Sequence, residues 1–549
     1  MAFWVLLLLQ AVVASASAVP LSTKEHRRSA TDFVDVMLNT LVENFEKSIP
    51  VASENGALLL KQLLSPLVDE PYRITQQSAN STARAEALHT VRENFIYTTL
   101  STGGPLYPGG ELGVAKNALD VANMTTDITL PLLAAKADGK QAITDAANYS
   151  GLQTLEDYVK LYTGEWLNSL PNGTDLGILT NYTQDLLFSM QRLSSSPYQV
   201  RRLRFGSESL PFAVDDSITN AITGMSIEQL YLEGRLFYAD YRDQLGLEST
   251  GRYSAACEAY FYIDASSGKF LPLAIRTNVG SNLVYTPLDS TNDWLLAKIM
   301  FNVNDFWFSQ WNHLAATHFV MQIVWAAAIR TLSREHPLFA VLNRLTYEAY
   351  SLPLLAEGFL FFSGGAVDLV FPFTGSEANN YTNRLYSSKA GRFQSNYFET
   401  DLKSRGLIGP CQGPPIEHFP FHEDARIVYT ATRQFMSSFV KSYYSSNGQV
   451  AADAEIQAWV AECMGDAQVI DFPSEIKTID SLVDVLTHVS MLALMNEETR
   501  AANDVFMMKM KKFSSQLQAR GFDENGLSQG MPFIWKALDP NVAPFSITI

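Results

Sequence analysis

His313 and His318 bracket four residues in the run HLAATH, His336 follows in REHP, and the whole chain holds only eight histidines. Neutral imidazole is the commonest protein ligand for a transition metal, yet a buried histidine is also an ordinary hydrogen-bond partner, so the pair reads either way. On an ideal α-helix five residues advance by about 500°, which leaves the two rings about 140° apart and unable to share an ion without distortion. A π-type bulge would bring positions i and i+5 onto one side, and such bulges collect at functional sites. The glutamate of the zinc-protease pattern H-E-x-x-H is missing, so hydrolysis by a zinc-activated water has no base here. A G-x-S-x-G elbow and a Gly-rich phosphate loop following a strand are absent too, which removes those enzyme classes.

The elements that must carry these residues are mostly helical. From 290 to 350 apolar residues recur at three- and four-residue spacing through DWLLAKIMFNVNDFWFSQWNHLAATHFVMQIVWAAAIRTL, far longer than any strand. Around 320 to 330 the run is apolar almost all the way round, which predicts a central helix buried on every side. Further helical periodicities cover 423 to 462 and 478 to 520, and the segment from about 19 to 90 is polar and helical in pattern. Period-two stretches are scarce: AYFYID at 259 to 264 and FLPLAI at 270 to 275 are the best strand candidates. STGGPLYPGGELGVAK, from about 100 to 115, reads as loop, and PNGTD at 171 to 175 as a turn cluster. The expected class is mainly α with a small β portion.

The 549 residues carry a net charge of −17 with 47% hydrophobic and 18% charged side chains, the composition of a globular protein with a sizeable core. So acidic a chain argues against a nucleic-acid partner, because that binding is driven by Lys and Arg. Residues 1–18, MAFWVLLLLQAVVASASA, form a short apolar run ending in small residues, as a signal peptide does, with Val19 as the expected mature start. No later stretch reaches eighteen uninterrupted apolar residues, so no transmembrane helix is expected and the product should be secreted. Six N-x-S/T sequons, at Asn80, Asn123, Asn148, Asn172, Asn181 and Asn380, are candidate glycosylation sites. Cys257, Cys411 and Cys463 are odd in number and far apart; one bridge at most is possible, and small buried hydrophobes are the simpler reading.

The segment WNHLAATHFVMQIVWAAAIRTLSREHP, with His313, His318 and His336 at these spacings, resembles the central-helix signature of the lipoxygenases. Other blocks agree in order: YFYIDASSGKFLPLAI, DWLLAKIMFNVND, DLKSRG at 401 to 406, FPFHEDA and the terminal APFSITI. The resemblance runs from about residue 90 to the end and is nearest to secreted fungal lipoxygenases that use manganese and lack an N-terminal β-barrel. It implies residues 91–549 as one large catalytic domain without that barrel, with residues 19–90 as a helical segment packed on it. It also implies a monomer that adds dioxygen to polyunsaturated fatty acids such as linoleic or α-linolenic acid. A redox metal cycling between two plus and three plus suits that chemistry, and nitrogen and carboxylate ligands suit manganese or, alternatively, iron.

Carried over by position, the metal ligands are His313, His318 and the main-chain carboxylate of Ile549, while His336 is a packing and hydrogen-bonding histidine. Ala356 falls at the family's alanine-or-glycine position in the substrate channel, and Phe371 at a channel phenylalanine. An apolar channel holds an acyl tail at about 0.8 kcal/mol per buried methylene. The sequence departs from the family at one decisive place. LTHVSMLALMN at 486 to 496 should continue into a His-His-x-x-Asn stretch that supplies a third histidine and an asparagine, and here it continues EETRAAN instead. The simplest account is an internal deletion after Asn496, which brings in Glu497 and Glu498 from a solvent-facing part of the family fold rather than as substitute ligands. The alternative reading is therefore a catalytically impaired, lipoxygenase-like secreted glycoprotein. A smaller departure is Gln322, where many family members carry Glu.

Overall fold

Ser290 starts the longest apolar run: its hydroxyl accepts the Asp293 N–H at 3.2 Å and caps a 23-residue helix, Thr291–His313. After the five-residue turn Leu314–His318 the helix resumes as Phe319–Thr331, in which every residue except Arg330 is buried. A segment apolar on all sides can be stable only at the centre of other elements, and that is its position. The structure, a computed structural model, describes residues 51–64, 81–124, 184–194, 197–251, 254–277, 283–365, 367–368, 371–410 and 412–494.

Around this axis lie helices Pro420–Tyr443, Ala454–Met464 and Ile479–Leu494. Ala454–Met464 packs along Phe319–Thr331, where the Trp459 indole N–H donates to the Val324 carbonyl at 3.2 Å. Ile479–Leu494 packs on Pro420–Tyr443 and reaches the Leu314–His318 turn. The periodic stretch 423 to 462 is not one helix but three. Tyr444 ends the first, Ser446 caps the short Asn447–Ala452, and Asp453 caps the third by accepting the Glu455 and Ile456 N–H groups.

The two expected strands form, as Glu258–Ile263 and Phe270–Arg276, in the middle of a five-stranded antiparallel sheet with Arg201–Arg202, Leu236–Asp240 and Val284–Tyr285. The register shifts between Tyr260 and Phe261, and Pro272 is tolerated at that irregularity. One face of the sheet joins the main core. The other packs Tyr238, Tyr260 and Tyr262 with Phe212, Ile227 and Leu230 in a second small core.

The Gly/Pro-rich stretch near 100 to 115 is only partly loop. Tyr107–Gly109 pairs with Ile96–Thr98, and a helix begins at Gly110 and runs through 124, burying Leu112 and Ala115. Gly110 makes the corner with φ 75°, and a Cβ there would collide with the Asn94 carbonyl. Helices Glu54–Leu64 and Ser81–Asn94 lie against this body: Leu60 and Leu63 enter the main core, and Arg84 Nε donates to Glu455 at 2.9 Å. Cys257 and Cys463 are buried free thiols. Among the described residues no helix is long and apolar enough to cross a membrane.

Candidate metal centre

The turn Leu314–His318 is a π-helical one, closed by the Phe319 N–H on the Leu314 carbonyl. One extra residue in a turn rotates the chain so that i and i+5 share a side, the arrangement that the spacing required. His313 ends the upstream helix and His318 ends the turn; their Nε2 atoms are 3.0 Å apart and their rings are near-perpendicular at 82°. Thr317 braces the turn by donating its hydroxyl to the His313 carbonyl at 2.8 Å. Burial lowers the His313 pKa to about 4, and burial together with the His313 ring holds His318 well below the ordinary range. Both rings are thus neutral near pH 7, the state in which imidazole offers a lone pair to a metal.

This pair fits half of a metal site. Two nitrogens 3.0 Å apart, each at about 2.1 Å from a shared ion, subtend about 90° at it, as neighbouring ligands do. Without an ion the same distance is a hydrogen bond between one Nε2–H and the other ring. One turn beyond His318, Gln322 is buried, and its amide nitrogen has no hydrogen-bond partner among the described residues. No set of three His, Cys, Asp or Glu gathers into a metal-binding cluster among the described residues. Ile549, Glu497 and Glu498 lie outside those residues, as do residues 1–18 with Val19, Cys411, residues 171 to 175 and the sequons at Asn80, Asn148, Asn172 and Asn181. Asn380 is exposed on helix Gly375–Leu385, and Asn123 is partly exposed on the helix 110–124.

His336 stands apart from the pair. It is fully buried, accepts the Leu338 N–H on Nδ1 at 3.1 Å and faces Asp453 with Nε2 at 3.2 Å. An acceptor Nδ1 leaves the proton on Nε2, so the ring donates to Asp453, whose same oxygen also accepts the Tyr444 hydroxyl at 2.7 Å. The site is a helix cap and a buried brace, in keeping with a packing role.

Beside the π turn lies a cavity of about 280 Å³. Ala316 and Thr317 of the turn, Asn312 and Phe308 of the central helix, and His488, Met491 and Leu492 of Ile479–Leu494 border it. His488 is buried between the rings of Phe393 and Tyr397, its pKa is pushed down to about 3 by burial, and its Nε2 has no partner among the described residues. Sequence reasoning missed this residue because no motif marks it; a single histidine in the apolar run LVDVLTHVSMLAL was the one available signal. Ala356 and Phe371 do not border the cavity. Ala356 is buried at the start of a second π turn, Ala356–Leu360, and Phe371 packs against Phe306, Trp307 and Trp311.

Comparison with known proteins agrees with this architecture. The lipoxygenase family profile matches residues 197–499. A manganese lipoxygenase of Colletotrichum gloeosporioides is 38% identical over 568 aligned positions, which cover 88% of this chain and 93% of the relative. One from Fusarium oxysporum is 40% identical, covering 80% of this chain and 86% of the relative. The solved manganese lipoxygenase of Gaeumannomyces graminis superposes with a TM-score of 0.78 at 37% identity, over 87% of this chain and all of that one. The chain belongs to the lipoxygenase family, whose members dioxygenate fatty acids. Among the relatives it resembles are the fungal manganese enzymes, whose fold it shares without a barrel among its described residues.

The Colletotrichum alignment spans 568 positions, whereas 88% of 549 residues is about 483, so about 85 of its positions face no residue of this chain. The family profile ends at 499, close after Asn496, and His488 is the last histidine of the chain.

Proposed function

We propose that this lipoxygenase-family dioxygenase is secreted as a monomer and converts polyunsaturated fatty acids such as linoleic or α-linolenic acid to hydroperoxides. In this reading manganese, with iron as the alternative, is held by His313, His318 and the terminal carboxylate of Ile549. The observation that supports it is the neutral imidazole pair set 3.0 Å apart by a π turn. Manganese held there would supply a couple between two plus and three plus, the chemistry that a C–H bond too weakly acidic for a base alone calls for. His313 and His318 stay deprotonated through burial, Thr317 fixes the turn between them, and Gln322 offers an amide donor one turn on. Ala356 and Phe371 are the residues proposed to shape the passage for the pentadiene.

One observation favours a second reading, a secreted lipoxygenase-like glycoprotein without turnover: the third histidine and the asparagine are missing after Asn496. The two are separated by loading purified protein with manganese and measuring metal content, melting temperature and conjugated-diene formation from linoleic acid. The first reading expects retained manganese and a melting temperature that rises by mass action, both lost in His313→Ala and His318→Ala. A folded protein that retains no manganese and forms no diene establishes the second.

A further inference from the structure

Helix Pro420–Tyr443 carries three kinds of surface. At about 100° per residue, Phe421, Ala425, Met436 and Val440 share the arc that enters the main core, while Arg426, Thr430 and Lys441 share an exposed polar one. Ile427, Val428, Ala431 and Phe435 fall between these on a third, apolar arc bordered by Phe439. Ile427, Val428 and Ala431 are half-buried, whereas Phe435 is 59% exposed and stacks on Phe439 with ring centroids 6.4 Å apart. Single exposed apolar side chains are ordinary, but four on one arc over more than two turns form a stripe that a further element would cover. Asp424 stands on the same arc at the start of the helix. Burial and Glu423 push its carboxyl up to about 7, and no cation among the described residues offsets this.

Helix Ile479–Leu494 runs antiparallel to Pro420–Tyr443. The Ile479 N–H donates to Asn447, just past the end of Pro420–Tyr443, at 2.9 Å, Arg433 meets Asp484 at 2.8 Å, and Leu492 borders the same cavity as Phe421 and Ala425. The chain therefore leaves Leu494 beside the start of Pro420–Tyr443. In the sequence that follows, Phe506, Met510, Phe513 and Leu517 recur at the spacing of one helical face, flanked by Lys509, Lys511 and Lys512. Residues 495–505 in between can reach about 36 Å when extended, which is about the length of this 24-residue helix. We propose that residues 506–517 dock on the open arc of Pro420–Tyr443, with Phe506, Met510, Phe513 and Leu517 against its apolar stripe and the lysines towards Asp424 and Glu423. Two apolar stripes of one helical period then cover each other, and a basic segment meets the acidic end of the arc. Neither metal nor turnover is needed for this contact.

The test uses the full-length protein with the photoreactive residue p-benzoylphenylalanine at position 435, where exposure leaves room for the larger side chain. After illumination, proteolysis and mass spectrometry, the expected cross-link joins position 435 to residues 506–517 of the same chain. Met510→Glu together with Phe513→Glu should abolish that cross-link, and Asp424→Lys should lower its yield about threefold. Hydrogen exchange gives a second readout: Phe435→Glu should speed the amides of residues 506–517 about tenfold while those of Phe319–Thr331 keep the parent's rate. A cross-link to a second molecule would make the arc an interface between copies, and one to another part of the chain would name a different occupant; either overturns the proposal. It is overturned equally if no cross-link forms, if the cross-link survives Met510→Glu with Phe513→Glu, or if residues 506–517 of the parent exchange as fast as a free chain.

Discussion

At the scale of single residues, the three histidines of the signature divide into two roles by what their nitrogens face. His313 and His318 face each other, whereas His336 spends both nitrogens on the protein, one on the Leu338 N–H and one on Asp453. Replacing His336 with Ala removes a cap and leaves the buried Asp453 with one donor fewer. The expected cost is about 3 kcal/mol of stability, read by denaturant unfolding, with no loss of whatever manganese the parent retains. A variant that folds normally but loses its metal would instead make His336 a ligand. The pair stood out in the sequence through its resemblance to the lipoxygenase signature, since the two histidines and their spacing alone read either way. That the two rings meet was open: the spacing put them about 140° apart on an ideal helix and side by side only with a π bulge. His488 was illegible for another reason: it lines a cavity assembled from several distant segments, and no local spacing encodes that.

At the scale of elements, the π turn Leu314–His318 holds one residue more than an α-helix needs. The residues before and after it are therefore already in the phase that a continuous α-helix would give. Deleting Ala316 should convert the turn to α geometry and leave the faces of Thr291–His313 and Phe319–Thr331 where they are. The melting temperature should stay within about 5 °C of the parent. Deleting Ala326, which is buried in regular helix, should rotate everything beyond it by about 100° and abolish cooperative unfolding. Equal damage from both deletions, in parallel thermal scans, would argue that the turn is not a one-residue bulge. The helical elements were legible because apolar periodicity and caps such as Ser290 and Asp453 are local signals. Their breaks were less so. The division of 423 to 462 into three helices rests on Asp453 turning one carboxylate oxygen to the Glu455 and Ile456 N–H groups, and the Gly/Pro-rich stretch hid a helix because Gly110 looks the same in sequence whether it ends a loop or starts a helix.

At the scale of the molecule, helices Glu54–Leu64 and Ser81–Asn94 are tied to the rest of the protein by polar contacts that include Arg84 on Glu455, Arg92 on the Arg330 carbonyl and Arg334 on the Gln62 carbonyl. Arg84 holds Glu455 on one carboxylate oxygen while the Ser333 N–H donates to the other at 2.8 Å, so one acid joins helix Ser81–Asn94, the exit of the central helix and Ala454–Met464. Arg84→Ala should lower stability by about 2 kcal/mol and speed amide exchange in Ser81–Asn94 more than in the central helix. Uniform acceleration would mean that this helix unfolds only with the whole. The family was legible because several blocks recur in order along the chain, whereas the completeness of the metal site was not, since the residues after Asn496 carry no histidine to complete the set that the resemblance implies. The central helix also carries its own optical gauge. Trp307 and Trp311 are buried with ring centroids 5.3 Å apart, next in sequence to Phe308 and Asn312 of the cavity wall, and stand six and two residues upstream of His313. Indole emission responds to nearby quenchers and to polarity, so these rings make the interior around the histidine pair observable in solution without any attached dye.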